Sequence, residues 1–201
     1  MFTKIKQASF AWLRVSLLAC SIVTPMLLPG VGHAQADPKI EKALADLKAR
    51  TATLGAPRLE HAEAVGGTAA SALYFGRTKI NNNFEVVDAV VKQYGGTATL
   101  FAKTGNDYVR VSTNVPLGGG RGRAIGTILD PNGKAIVNIN KGEPFYGEVV
   151  IITVETLRGD SIGDSEVYGA TIDQEPYITG YVPIKDSSGK VIGVYYVGYK
   201  K

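Results

Sequence analysis

Few residues in this chain could do chemistry. Once an N-terminal export segment is set aside, one histidine remains, His61, in a stretch without clear periodicity. A Ser/His/Asp triad would have to be assembled around it, and no Gly-x-Ser-x-Gly elbow supplies the serine. One imidazole is also too little for zinc, which takes several His or Cys ligands. The single cysteine, Cys20, lies in the export segment, so disulfides, thiolate catalysis and cysteine metal sites are excluded. Asp160, Asp164 and Glu166 in GDSIGDSE gather carboxylates but lack the alternating ligands and terminal Glu of an EF-hand. The run from Gly118 to Arg123, GGGRGR, lacks the Gly-Lys-Ser/Thr ending of a phosphate loop and sits between strands instead of ahead of a long helix. Both read as solvated loop. The expectation is a protein without a catalytic centre, metal or cofactor.

A second constellation is spread over strands. In DYVRVST, Val109, Val111 and Thr113 share one side of a period-two pattern, and Tyr108, Arg110 and Ser112 the other. In PYITGYVPI, Tyr177, Thr179 and Tyr181 share one side, and Ile178, Val182 and Ile184 the other. Tyr146 and Glu148 alternate with Phe145 and Val149. If the polar faces coincide, Arg110, Ser112, Tyr146, Tyr177, Thr179 and Tyr181 line a pocket of aromatic walls, hydroxyls and one arginine fork, which suits a small carboxylate. If they do not, the same residues form the solvated face of a one-sided antiparallel sheet. Periodicity leaves both readings open.

The elements that must position these residues are legible in part. Asp37-Pro38 opens a helix with an acidic N-cap and proline at the first turn, Ile40, Leu44 and Leu47 recur at helical spacing, and Asp46 and Arg50 stand at i, i+4. From Gly55 to Gly76 the sequence is rich in small residues and reads as loop and short helical turns. A second helix runs from Phe84 to Tyr94, capped by Asn83 and ended by Gly95-Gly96. Strands follow over 97–103 and 107–115 around Thr104-Gly105-Asn106, then a shorter extended piece over 123–129. After the Asp130-Pro131-Asn132-Gly133 turn come a short helix over 134–141 and a strand over 145–152. A closing hairpin pairs 177–184 with 191–199 across Asp186-Ser187-Ser188-Gly189. Its second strand, β-branched and aromatic, is expected in the middle of the sheet. About five mostly antiparallel strands with helices in front make an α+β layer arrangement.

Lys4, Lys6 and Arg14 precede an apolar run over 15–28 that ends at Ala34-Gln35-Ala36, the three regions of a secretory signal peptide. Without residues 1–36 the formal charge falls from +4 to +1, so the basicity belongs to the signal. No basic stripe with interleaved aromatics remains, and no nucleic-acid partner is expected. No second apolar run follows Tyr199.

The closing run YITGYVPIKDSSGKVIGVYYVGY, with Ala72 to Val115 and Arg123 to Gly147 ahead of it in the same order, resembles the Cache domain family, and specifically the Cache 3/Cache 2 fusion type. The resemblance implies a PAS-like antiparallel sheet with the N-terminal helix packed on it. It also implies an extracytoplasmic sensory domain that binds a small ligand on the sheet face opposite that helix, often through an arginine and hydroxyls of the central strands. The expected division is a signal peptide over 1–36, helix and connector over 37–71, and a Cache-like domain over 72–201. Where relatives pass almost directly from a Tyr-Gly pair to PYITGY, this chain carries VVIITVETLRGDSIGDSEV, which reads as an insertion near 149–167, a hairpin or extended loop. Such receptors usually continue into a second membrane helix. A chain without one is expected in the periplasm or secreted, working through a separate membrane receptor or kinase, with a homodimer open to it. The alternative is a structural or protein-interaction module with a vestigial pocket.

Overall fold

The computed structural model describes residues 36–117, 122–156 and 170–201, with side chains described outside 151–156 and 170–174. Residues 1–35 of the expected signal peptide, the acidic cluster at 160–166 and residues 118–121 of the glycine-rich run lie outside the described residues.

Helix α1 spans Pro38–Leu54, and the Asp37 carboxylate accepts the Lys39 N–H at 2.8 Å, which satisfies one of the free donors of the first turn. Ile40, Ala43, Leu44, Leu47 and Thr51 form its buried stripe, and Arg50 pairs with Asp46 at 2.6 Å on the outer side. Helix α2 spans Glu85–Tyr94. Its N-cap position is Phe84 and not Asn83, yet the Asn83 side chain still accepts the Glu85 N–H at 3.1 Å.

The stretch read as loop after Gly55 is instead sheet. Strands β1 (Pro57–Val65), β2 (Thr68–Phe75) and β3 (Thr78–Lys79) form a three-stranded antiparallel sheet in the order β1-β2-β3. The reversal between β1 and β2 is Gly66-Gly67, both at positive φ, a two-residue turn whose backbone only glycine adopts freely. A Cβ on Gly66 would lie 2.3 Å from the Ile125 carbonyl oxygen, and one on Gly126 would lie 2.3 Å from that of Val65. Backbone therefore meets backbone where this turn docks on the 125–126 segment.

The larger sheet has the order β5-β4-β8-β7-β6. It is built from β4 (Thr97–Thr104), β5 (Asp107–Thr113), β6 (Phe145–Thr156), β7 (Ala170–Lys185) and β8 (Val191–Lys200), all antiparallel, with the short helix α3 (Lys134–Asn140) between β5 and β6. As its composition requires, β8 is the central strand, flanked by β4 and β7. The turn before it is held by the Asp186 carboxylate, which accepts the N–H groups of Ser188 and Lys190.

Because side chains alternate across a strand, the sheet has two buried faces. On one, Leu100, Val111, Ile184 and Val197 pack under α1, α2 and the small sheet, with Leu47, Leu73, Phe75 and Val87 among the covering residues. On the other, Phe101, Tyr108, Tyr181, Val194 and Tyr196 pack with Ala135, Ile136 and Ile139 of α3. Strands β6 and β7 stay paired from Phe145↔Tyr181 to Thr156↔Ala170, whereas β8 reaches only to Tyr177↔Lys200. Beyond that point the hairpin continues as two strands. Its lengthening begins where the insertion is expected, although Val149 still packs against the second cluster.

Candidate ligand-binding site

Arg110 sits in β5 opposite Phe101 of β4, and its guanidinium lies over the Phe101 ring, 5.2 Å from the centroid. The segment after β5 returns alongside it. The Arg110 N–H donates to the Thr127 carbonyl at 2.8 Å, and the Arg110 carbonyl accepts the Gly126 N–H at 2.9 Å. This brings the Thr127 hydroxyl to Arg110, where it accepts a hydrogen bond from Nη1 at 2.8 Å while donating to the Ala124 carbonyl at 2.9 Å. The Nε of Arg110 is buried with no hydrogen-bond partner, and no carboxylate among the described residues pairs with this side chain. Burial lowers its pKa, partly offset by the neighbouring hydroxyls of Tyr196 and Tyr181. The side chain is partly exposed and only its Nε is sealed off, so an anion arriving at the guanidinium would supply a counter-charge that the described residues do not.

In front of the guanidinium lies a cavity of about 730 Å³, walled by Thr127, Asp130, Lys134, Val149, Tyr181 and Tyr196 among others. The Tyr181 and Tyr196 rings are tilted against each other at 4.8 Å, and Phe145 stands 6.1 Å from Tyr181 on the other side. The Tyr196 hydroxyl accepts a hydrogen bond from Thr97 at 3.3 Å. Burial pushes Tyr196 up to about 12 and raises Tyr181 further, so both are neutral hydroxyls at any physiological pH. Two carboxylates also reach the lining. Glu148 is paired with Lys201 at 2.6 Å, and Asp130 accepts the Asn132 N–H at 2.9 Å.

Of the six residues expected at the site, the fold brings two together here, Arg110 and Tyr181. Ser112 does not share the Arg110 face. Leu100 pairs with Ser112 and Phe101 with Arg110, so Val111 is an extra residue in β5. This β-bulge reverses the alternation beyond it. Ser112 is fully buried and donates to the Asn83 carbonyl at 2.6 Å, while Thr113 turns to Thr99, with the two hydroxyls 2.6 Å apart. Tyr146 also lies away from the cavity. Its partner is Gly180, and it packs at the edge of the cluster under α1, because Phe145 and not Tyr146 stands opposite Tyr181. Thr179 is buried and donates to the Gly147 carbonyl at 2.9 Å. Tyr177 stands at the Val149 position of the ladder, outside the lining. Sequence reading missed Thr127, Tyr196 and Asp130. Tyr196 was recoverable, since in a central strand two consecutive tyrosines must face opposite sides.

The groups present are an unpaired guanidinium, neutral hydroxyls and aromatic walls, with no cluster of three metal-ligating side chains among the described residues. Chemically they can hold an anion. No helix among the described residues is long and apolar enough to cross a membrane.

Compared with known proteins, the chain matches the model of the Cache 3/Cache 2 fusion domain over residues 34–155 and that of the single Cache domain 3 over residues 161–201. No curated protein matches it. With more than half of its length matched, and with the α+β sheet and N-terminal helix already described, the chain belongs to the Cache 3/Cache 2 fusion domain family of extracytoplasmic sensory domains.

Proposed function

We propose that this chain is a periplasmic solute-sensing domain that takes a small organic acid at Arg110 and reports its occupancy to a separate membrane protein, a receptor or a kinase. The observation that carries the reading is the guanidinium of Arg110, buried at Nε, unpaired, and facing a cavity. A carboxylate placed there would receive hydrogen bonds from the arginine fork, supply the missing counter-charge and lie beside neutral tyrosine hydroxyls. Domains of these families are typically non-enzymatic. The competing reading, a structural module with a vestigial pocket, would have the polar faces collapsed on each other, and an open volume of about 730 Å³ speaks against it.

The test is a thermal-shift screen of organic acids followed by calorimetric titration of the best binder against the wild type and Arg110→Lys. Lysine keeps the charge but loses the two parallel hydrogen bonds, so affinity should fall by about 1.5–3 kcal/mol with little change in stability. Undiminished affinity in the lysine variant would remove Arg110 from the site.

A further inference from the structure

The volume of the cavity and the character of its rim narrow the acid, provided that the reading of Arg110 as a carboxylate anchor holds. At about 730 Å³ the space falls within the range of about 300–1,000 Å³ that encloses drug-sized ligands, far more than an acid of two to four carbons fills. Arg110 and Thr127 are joined by a hydrogen bond, and Tyr181 and Tyr196 line the same space. The lining also carries the aliphatic side chains of Val115, Leu117, Ile128, Leu129 and Val149 and the charged ones of Asp130, Lys134 and Glu148. The described residues leave four large hydrophobic side chains exposed: Leu117, Ile128, Val137 and Val150. Three of them, all but Val137, line this cavity. Apolar side chains exposed singly are ordinary, but a set gathered at the mouth of a cavity marks a binding surface. A second carboxylate would have one further cation to meet, Lys134, which shares the lining with Asp130, while Glu148 is already paired with Lys201.

We propose that the ligand is an amphipathic monocarboxylate, an acid with one carboxylate held at Arg110 and a medium-length aliphatic or aryl body lying along Ile128, Leu117 and Val149. A dicarboxylate would have only Lys134, in a lining that also holds Asp130, for its second charge, and a two-carbon acid would leave the aliphatic lining wet. An amphipathic acid satisfies the arginine and removes the exposed apolar surface in one step.

Calorimetric titration of the purified chain with butyrate, hexanoate and octanoate, and with suberate as the eight-carbon dicarboxylate, tests this. Affinity should rise about fourfold for each methylene added until the cavity is filled, and octanoate should bind more tightly than suberate. Ile128→Asn should lower octanoate affinity several-fold, by a larger factor than it lowers butyrate affinity. A flat dependence on chain length, or suberate binding more tightly than octanoate, would overturn the amphipathic ligand while leaving acid binding at Arg110 intact. Absence of binding by every acid, or octanoate held equally by Arg110→Lys, would overturn both.

Discussion

Tyr195 and Tyr196 are consecutive on β8 and face opposite sides of the sheet, and what each meets there separates the two regions of the molecule. Tyr195 lies under α1, with its hydroxyl 2.9 Å from that of Thr51 and its ring 6.2 Å from Phe75. Tyr196 packs on Tyr181, bonds to Thr97 and lines the cavity in which Arg110 has no counter-ion. The first face joins two helices and a second sheet to the large sheet, and its aliphatic side chains are almost wholly buried. The second is covered by one short helix and the 123–130 segment, which leave an opening. More of the buried core lies on the sealed face, and the other is free to hold a charge without a counter-ion. A binding site built on both faces would have no such reserve.

Breaking the sealed face should have the largest effect. Leu47 is completely buried in α1, and Leu47→Ala should cost about 2–5 kcal/mol through lost burial and the cavity left behind, measured by urea denaturation. Acid affinity should be unchanged so long as the variant is folded.

Alkaline pH sharpens the contrast next. Burial raises the pKa of Tyr196 to about 12 and that of Tyr181 further, and it raises Tyr195 as well, with a threonine bond partly offsetting burial at both Tyr195 and Tyr196. In the unfolded chain a tyrosine ionises near pH 10. A raised folded pKa means that the stability is fully present below pH 10 and falls as pH rises toward 12. Each such tyrosine contributes a slope of about 1.4 kcal/mol per pH unit in that window. Denaturation midpoints at pH 9, 10 and 11 should trace the loss, and Tyr196→Phe should flatten it.

The smallest effect has the opposite sign. Arg110→Met removes a charge whose Nε is buried without a partner and keeps an apolar chain over Phe101. Stability should rise by about 1 kcal/mol while acid binding is lost. A drop in stability of that size would mean that the arginine holds the fold together and is not kept for a ligand.

Much of the fold was written locally. Asp37-Pro38 opens α1, and both the Thr104-Gly105-Asn106 and Asp186–Gly189 turns join strands where their chemistry demands it. The small sheet was hidden because β1 is rich in alanine and charge, poor strand formers, and because the register shifts between Glu60 and Ala62, which interrupts its period at His61. The Gly66-Gly67 pair was the signal available. The site was legible only where alternation held. Arg110 and Tyr181 fall on one face because the ladders through Phe101 and Val194 are regular. Ser112 was misplaced because a bulge at Val111 leaves no trace in residue type. Tyr146 was misplaced because period two says which residues share a face and not which face that is. The register Phe145↔Tyr181 settles it, and register is a property of paired strands.

The contact between Gly66 and Gly126 bears on the dimensions of that cavity. Thr127, which orients the guanidinium, follows Gly126 directly, and Gly126 rests against the turn of a sheet that contributes no residue to the cavity lining. The position of the wall is thus set by how closely two bare backbones can approach, a tolerance of less than one methyl group. Alanine at Gly66 would act as a shim, moving the wall and Thr127 with it. The width of the binding space would then be altered from a place no ligand touches.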